Sequence, residues 1–374
     1  MNLAETQVAM KKFLIGVTTI TIFYYTSKFL FFQSVDLYRK FNPVKKIDPP
    51  ATFGMLPKLK MANITVNGNP YYILDTIDGK LPEFPDRLKV YKVTKPEATL
   101  LSEQQIKQIA QDLGFSGNYT SLSKSEFRWV DGTKQRTFTA HAITKSFQLY
   151  TPVTKISTAI FQTPSITADD ASNKVTSFLR SKGLLSPEDL ENIIVTTIPS
   201  QISLGKMKET GELITSSKIV KVNVYRNIKE GPYTVIGQNP NDSLISFHVT
   251  NDTGPYKFPL INFTYWPVDY KNGSEYYLSS VADVWNTVKE GKGIIAYVKL
   301  KSGDYYEKLG TLNVDKVEIR DILISYYEDK ELPDYLQPIY VFKGQFTTTQ
   351  ETTKVAETGE IMIYYPAIRG DFVN

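Results

Sequence analysis

The chain contains no cysteine, and that absence removes disulfides, thiolate nucleophiles and cysteine-based zinc sites together. Histidine is nearly absent as well. His141 and His248 are the only two. Each sits in an alternating strand pattern on a different stretch of the chain, which argues against a histidine-rich metal site and favours a satisfied or surface role. No Gly-x-Ser-x-Gly elbow, phosphate-binding Walker loop, Gly-x-Gly-x-x-Gly fingerprint or His-Glu-x-x-His pair is present. No cofactor, metal or catalytic residue is therefore expected.

Net charge is also lacking where it matters. The formal value of +4 arises at the start, where residues 1–46 hold seven basic side chains against Glu5 and Asp36. Beyond them stand 36 basic and 37 acidic groups. A body so balanced lacks the concentrated basic surface that nucleic-acid binding requires. With 41% hydrophobic residues it can still bury a core, and 24 Tyr and 20 Phe favour pleated β-structure.

The longest apolar run, residues 13–32 within "KKFLIGVTTITIFYYTSKFLFF", is broken only by Thr and Ser, Gly16 and Lys28. At about 1.5 Å per residue, a helix of this length reaches about 30 Å, the thickness of a bilayer's hydrocarbon core. No small-x-small site follows it, which argues against a cleaved signal peptide, and it has no polar face, which argues against a buried core helix. The expectation is a cytoplasmic N-terminus and transmembrane helix in residues 1–32, with lipid contact through residues 11–32. Two lysines precede the run, and Arg39, Lys40, Lys45 and Lys46 follow it, which by the positive-inside rule points to a cytoplasmic body. Residues 33–60, with Pro43, Pro49, Pro50 and Pro57, read as a stiff tether.

Beyond the tether one local grammar recurs. Ser102, Thr167 and Ser280 each precede an amphipathic stretch, with Gln105, Asp170 and Asp283 three residues on, in the pattern of a capping box. Gly114, Gly183 and Gly291 close these stretches, and a short helix starts at Ser186 with Pro187 in its first turn. Alternating segments follow each helix, among them "EFRWV" and "RTFTAHAIT" joined by a turn with Asp-Gly, "KIVKVNVYR", "SLISFHVTN" and "VEIRDILISYY". The predicted class is α+β: the transmembrane helix, then repeated modules of one helix packed on a small antiparallel sheet, at 61–160, 161–278 and 279–374.

Two clusters stand out. Glu328, Asp329, Glu331 and Asp334 crowd "YYEDKELPDYLQP", which reads as a solvated turn because its spacing matches no calcium loop. "NFTYWPVDYKNGSEYYL" concentrates aromatics beside polar residues, and Tyr265, Trp266, Tyr270, Tyr276 and Tyr277 are candidates for a partner-binding surface.

Residues 279–370 resemble the closing module of the YycH/YycI regulatory proteins and, more loosely, PepSY-type modules. The resemblance is carried by Ala282, Trp285 and Gly291 on the helix, Tyr326 and Tyr327 ending a strand, Pro338, Tyr340 and Phe342 on the next, and Gly359, Tyr364, Tyr365 and Ala367 on the last. It implies an N-terminal anchor, an extracytoplasmic body and a non-catalytic role exercised on a membrane-protein partner such as a sensor kinase. On that basis the expected function is a single-pass, membrane-anchored, extracytoplasmic binding or regulatory protein. Two alternatives stay open. One is a surface enzyme acting on cell-wall polymer through paired carboxylates; the other is a passive envelope or adhesion protein.

Overall fold

The computed structural model describes residues 16–17, 21, 23–31, 33–34, 51–203, 205–210, 216–301, 312–349 and 356–374. They fall into two compact units, Met1–Ala51 and Thr52–Asn374. The described residues between 16 and 34 are helical with exposed side chains, and Thr21 Oγ1 donates back to the Val17 carbonyl at 2.8 Å. Among the described residues no helix is long and apolar enough to cross a membrane, which corrects the expected transmembrane helix. Part of segment 13–32, and residues 35–50 of the expected tether, lie outside the described residues.

In the second unit β1 (Tyr71–Leu74) and β2 (Arg87–Val93) precede α1 (Ser102–Asp112). A meander follows: β3 (Tyr119–Ser121), β4 (Glu126–Asp131), β5 (Arg136–His141) and β6 (Phe147–Tyr150). Next come α2 (Val153–Ile160), β7 (Ile166–Thr167), α3 (Ala168–Ser181) and α4 (Pro187–Glu191). The chain continues through β8 (Ile193–Ser203), β9 (Lys206–Glu209), β10 (Ser216–Ser217), β11 (Ile219–Ile228), β12 (Tyr233–Ile236), β13 (Ile245–Thr250), β14 (Leu260–Phe263) and β15 (Val268–Tyr277). It closes with α5 (Val281–Thr287), β16 (Ile294–Leu300), β17 (Lys316–Tyr327), β18 (Tyr335–Thr349) and β19 (Ala356–Pro366).

Three helices start as their capping residues dictate. Thr167, Ser186 and Ser280 each accept, at 3.1 Å, the backbone N–H of the aspartate three residues on. The first helix departs from this rule. Its N-cap is Leu101, and Ser102 is buried, its Oγ accepting from the Thr99 N–H at 2.9 Å. The closing glycines Gly114, Gly183 and Gly291 all have positive φ, as left-handed helix ends require.

The strands do not close into separate small sheets. Apart from the short β7–β10 pair, the described strands form one large mixed sheet, which overturns the expected repeat of helix-on-small-sheet modules. β3-β4-β5-β6 continues edge to edge into β14-β13-β11-β8-β9 through the pairs Phe263↔Phe147 and Ile261↔Leu149. β12 leaves the end of β11 and joins β17 in parallel at Val235↔Tyr326, linking this array to β16-β19-β18-β17-β1. The physical reason is edge satisfaction: a small sheet leaves two rows of unpaired N–H and C=O groups, and pairing them with a neighbour removes both rows. Chain order is broken too. β1 pairs with β17 and β2 with β15 and β18, so strands from the expected first module complete the last one. The boundaries at 160 and 278 accordingly fall inside one compact unit.

The tether expectation also fails at its end. Leu56 is fully buried, its N–H donating to the Phe372 carbonyl and its carbonyl accepting from the Asn374 N–H. One core underlies α1 and α3 together: Ile106 and Ala110, and Val175 and Leu179, share a cluster with Phe138, Phe247 and Val222. Each such fully buried aliphatic or aromatic side chain contributes roughly 1.5–3 kcal/mol. Both helices cover the same side of the sheet, and its other side is left for a different use.

Candidate functional site: a polar cleft on the open side of the sheet

Alternation sets the site. On β11, Val220, Val222 and Val224 point into the helix-covered core, so Lys221 and Asn223 point away from it. The neighbouring strands follow: Phe247 faces the core with Ser246 and His248 opposite, as does Ile261 with Asn262, and Leu149 with Gln148. Cross-strand register then aligns Asn223, Ser246, Asn262, Gln148 and Thr139 in one row across β11, β13, β14, β6 and β5. Gln148 Nε2 donates to Asn262 Oδ1 at 3.0 Å, and Asn262 Nδ2 reaches Ser246 Oγ at 3.5 Å. Four of its members, Thr139, Gln148, Asn262 and Ser246, line a cleft of about 1210 Å³ together with Lys60–Ala62, Gln238, Asn239, Asp242–Leu244 and Asp329–Glu331, whereas Asn223 is buried and does not line it.

Both histidines line this cleft, against the expectation that they belong to separate modules. They flank the row on opposite sides, each two positions along its strand from a row residue. His141 is fully engaged. Its Nδ1 accepts from the Thr144 N–H at 3.2 Å, and its Nε2 lies 2.9 Å from Ser125 Oγ. His248 differs, because among the described residues neither ring nitrogen has a hydrogen-bond partner. Burial, and then the neighbouring Lys221 ammonium, push its pKa down to about 3, so the ring stays neutral, with one donor and one acceptor nitrogen. Lys221 is itself compensated. Burial works to lower its pKa, but ion pairs with Asp242 and with Glu209 at 2.9 Å outweigh burial and raise it. Asn223 donates through Nδ2 to the Asn241 carbonyl at 3.2 Å, while its buried Oδ1 has no partner among the described residues.

The aromatic segment occupies another place. Tyr265, Trp266 and Tyr276 are buried, and Tyr270 and Tyr277 are half-buried, so the five are not an exposed patch. Tyr265 and Tyr270 each donate to Asp189, at 2.6 Å to Oδ2 and to Oδ1 respectively. Trp266 Nε1 donates to the Asp329 carbonyl at 2.8 Å, and Tyr276 to that of Gly54 at 3.0 Å. Tyr277 lies under the Arg87 guanidinium, 4.2 Å from its ring centre.

Asp189 is the hub of a buried charge cluster. The Arg226 guanidinium reaches Asp189 through Nη1 at 3.4 Å and Glu328 through Nη2, and it also donates to the Trp266 carbonyl at 3.0 Å. Glu328 is therefore not part of a solvated turn: it is buried at the end of β17. Burial raises its pKa more than Arg226 lowers it, as expected where one guanidinium serves two buried carboxylates. Burial and then Asp189 push the Tyr265 hydroxyl up to about 12, keeping it a proton donor. This cluster is hydrogen-bonded throughout and ties α4, β11, β15 and β17 together.

Sequence periodicity marks a polar face on each strand singly. What it misses is that five such faces align, because that depends on β6 meeting β14, residues more than a hundred positions apart.

No family model matches the chain, and no curated protein does either. Among solved structures it is similar to a crystallised, uncharacterized protein from Eubacterium rectale, with a TM-score of 0.43 and 10% identity over 82% of this chain and 91% of that one.

Proposed function

We propose that the chain is a non-catalytic binding protein of the cell envelope. It associates with the bilayer through residues 11–32, recognises a ligand in the polar cleft on the outer side of the membrane, and acts on a membrane-protein partner. The observation that carries the binding role is the state of the groups in the cleft. Lys221 is ion-paired twice and His141 is bonded at both nitrogens, so neither is poised for proton transfer or attack. Asp242 is committed through Oδ1 to Lys221 and through Oδ2 to Asn239. Apolar length in residues 13–32 and the positive charge around it support the bilayer contact, and the resemblance of residues 279–370 to YycH/YycI proteins supports the regulatory role.

Fractionation of cells expressing the full chain tests the location. The protein should sediment with membranes and be released by detergent, and protease added to intact cells should cleave the body. Deleting residues 11–32 should move it to the soluble fraction and abolish co-purification of its membrane partner. A full-length chain recovered free in the cytosol would overturn the proposal.

A further inference from the structure

The floor of the cleft narrows the chemistry of what it can hold, given that it is the ligand seat. Four adjacent strands each contribute one neutral side chain to the part of the row that lines the cleft, and each of those side chains can both donate and accept. Strand spacing of about 4.8 Å makes this part of the row roughly 14 Å long, the reach of an extended chain of about three sugar rings. Gln148 and Asn262 are exposed and bonded to each other through one donor and one acceptor, which leaves the Gln148 carbonyl oxygen and one Asn262 N–H facing outward. Two polar groups lack a partner among the described residues: the His248 ring beside the row, and Oδ1 of Asn223, the buried residue at the row's end.

Charge decides between ligand classes. Among the described residues the one ammonium buried on this face, Lys221, is already neutralised by Asp242 and Glu209, and the other lysines lining the cleft, Lys60 and Lys330, are outnumbered by Glu126, Asp329 and Glu331, so the lining offers no net positive charge to a phosphate or carboxylate. The floor carries no carboxylate in its row to attract a cation. A neutral surface of paired donors and acceptors complements a neutral ligand with the same property, and the vicinal hydroxyls of a sugar have it. Aromatic platforms are missing from the floor because Phe147 and Phe263 stack on each other on the core side, at 4.7 Å. Binding by hydrogen bonds without ring stacking is weak, with a Kd on the order of 10⁻⁴ M.

We infer that the cleft binds a neutral oligosaccharide laid across the strands along Thr139, Gln148, Asn262 and Ser246, with His248 bonding a hydroxyl beside the row. This inference rests on the cleft being the ligand seat. Its test is titration of the full chain in detergent micelles with chitotetraose, cellotetraose, tetragalacturonate and an uncharged Gly-Ser octapeptide, followed by calorimetry and by chromatography of the recovered ligand. One or both neutral tetraoses should bind at least tenfold more tightly than tetragalacturonate and be recovered intact. The double variant Gln148→Ala/Asn262→Ala, which changes exposed side chains only, should weaken that binding at least tenfold with an unchanged melting temperature. Gln108→Ala, on the exposed side of α1, should leave binding as it is.

Equal or tighter binding of tetragalacturonate overturns the inference, as does sugar binding that the double variant leaves untouched. Peptide binding without sugar binding overturns the sugar class while the cleft remains a ligand seat. Sugar that is bound and cleaved supports the class but overturns the non-catalytic role. Binding of none of the probes overturns the inference.

Discussion

Lys221 and Arg226 stand on the same strand, β11, and face opposite sides of the sheet. Arg226 lies on the core side, 3% exposed, with Asp189 and Glu328 equally enclosed around it. Lys221 lies on the cleft side, and its partners Glu209 and Asp242 are about half exposed, at 42% and 48%. Both cations are paired, yet the pairs serve different ends. Where both partners are desolvated, removing one leaves an uncompensated charge in a low-dielectric site; where the carboxylates reach water, they can resolvate. The contrast teaches that the core side uses charge to lock elements together, whereas the cleft side uses it to cancel a field next to neutral hydrogen-bonding groups.

Arg226→Met tests the first half of that contrast and should show the largest effect, a loss of about 3–5 kcal/mol of unfolding free energy in urea. A loss under about 1 kcal/mol would mean that Asp189 and Glu328 find water in the folded state, and the two sides would no longer differ. Acidification probes the cleft side. The folded pKa of His248, about 3, lies below the ordinary histidine value, so folded protein binds fewer protons than unfolded protein between those pH values. The stabilisation held by neutral His248 is complete above the unfolded pKa and is lost as pH falls towards 3. From pH 7 to pH 5 it should decline by up to about 2 kcal/mol, and His248→Gln should remove that share of the slope in pH-dependent urea melts.

Tyr270→Phe deletes one of the two phenol donors to Asp189, and thermal melts should report a loss of about 1–1.5 kcal/mol. The smallest effect belongs to Lys221→Met, about 0.5–1 kcal/mol, because Glu209 and Asp242 can turn to solvent. That variant should instead raise the pKa of His248, visible by NMR as a ring-proton titration midpoint moved to higher pH, because the Lys221 charge helps to depress it. An unmoved midpoint would assign the depression to burial alone.

Much of the local structure was legible. The Thr167, Ser186 and Ser280 caps and the Gly114, Gly183 and Gly291 helix ends are where side-chain chemistry puts them, because a cap involves only residues three or four apart. The apolar faces follow as well: Ile106, Ile109 and Ala110 on α1, and Ala171, Val175 and Leu179 on α3, are buried as their spacing requires. α2 escaped notice, since eight residues behind Pro152 offer only Ile156 and Ile160 as a buried face. The burial of Glu328 is hidden from the sequence for a related reason. Nothing near it in sequence announces Arg226, which stands 102 positions earlier. The aromatic residues Tyr265 and Tyr270 carry the same lesson, because a Tyr beside polar residues looks alike whether its hydroxyl meets water or a buried carboxylate.

The sequence by itself determined where the helices capped by Thr167, Ser186 and Ser280 begin, which side of each strand is apolar, and that charge is balanced beyond residue 46, because these depend on near neighbours and composition. Only the tertiary structure decided that the strands join in one sheet, that two histidines from distant segments border one cleft, and that Arg226 meets Asp189 and Glu328. The reason is that a strand edge bonds to backbone rather than to side chains, so the choice of partner is made by how the whole chain covers its edges and core.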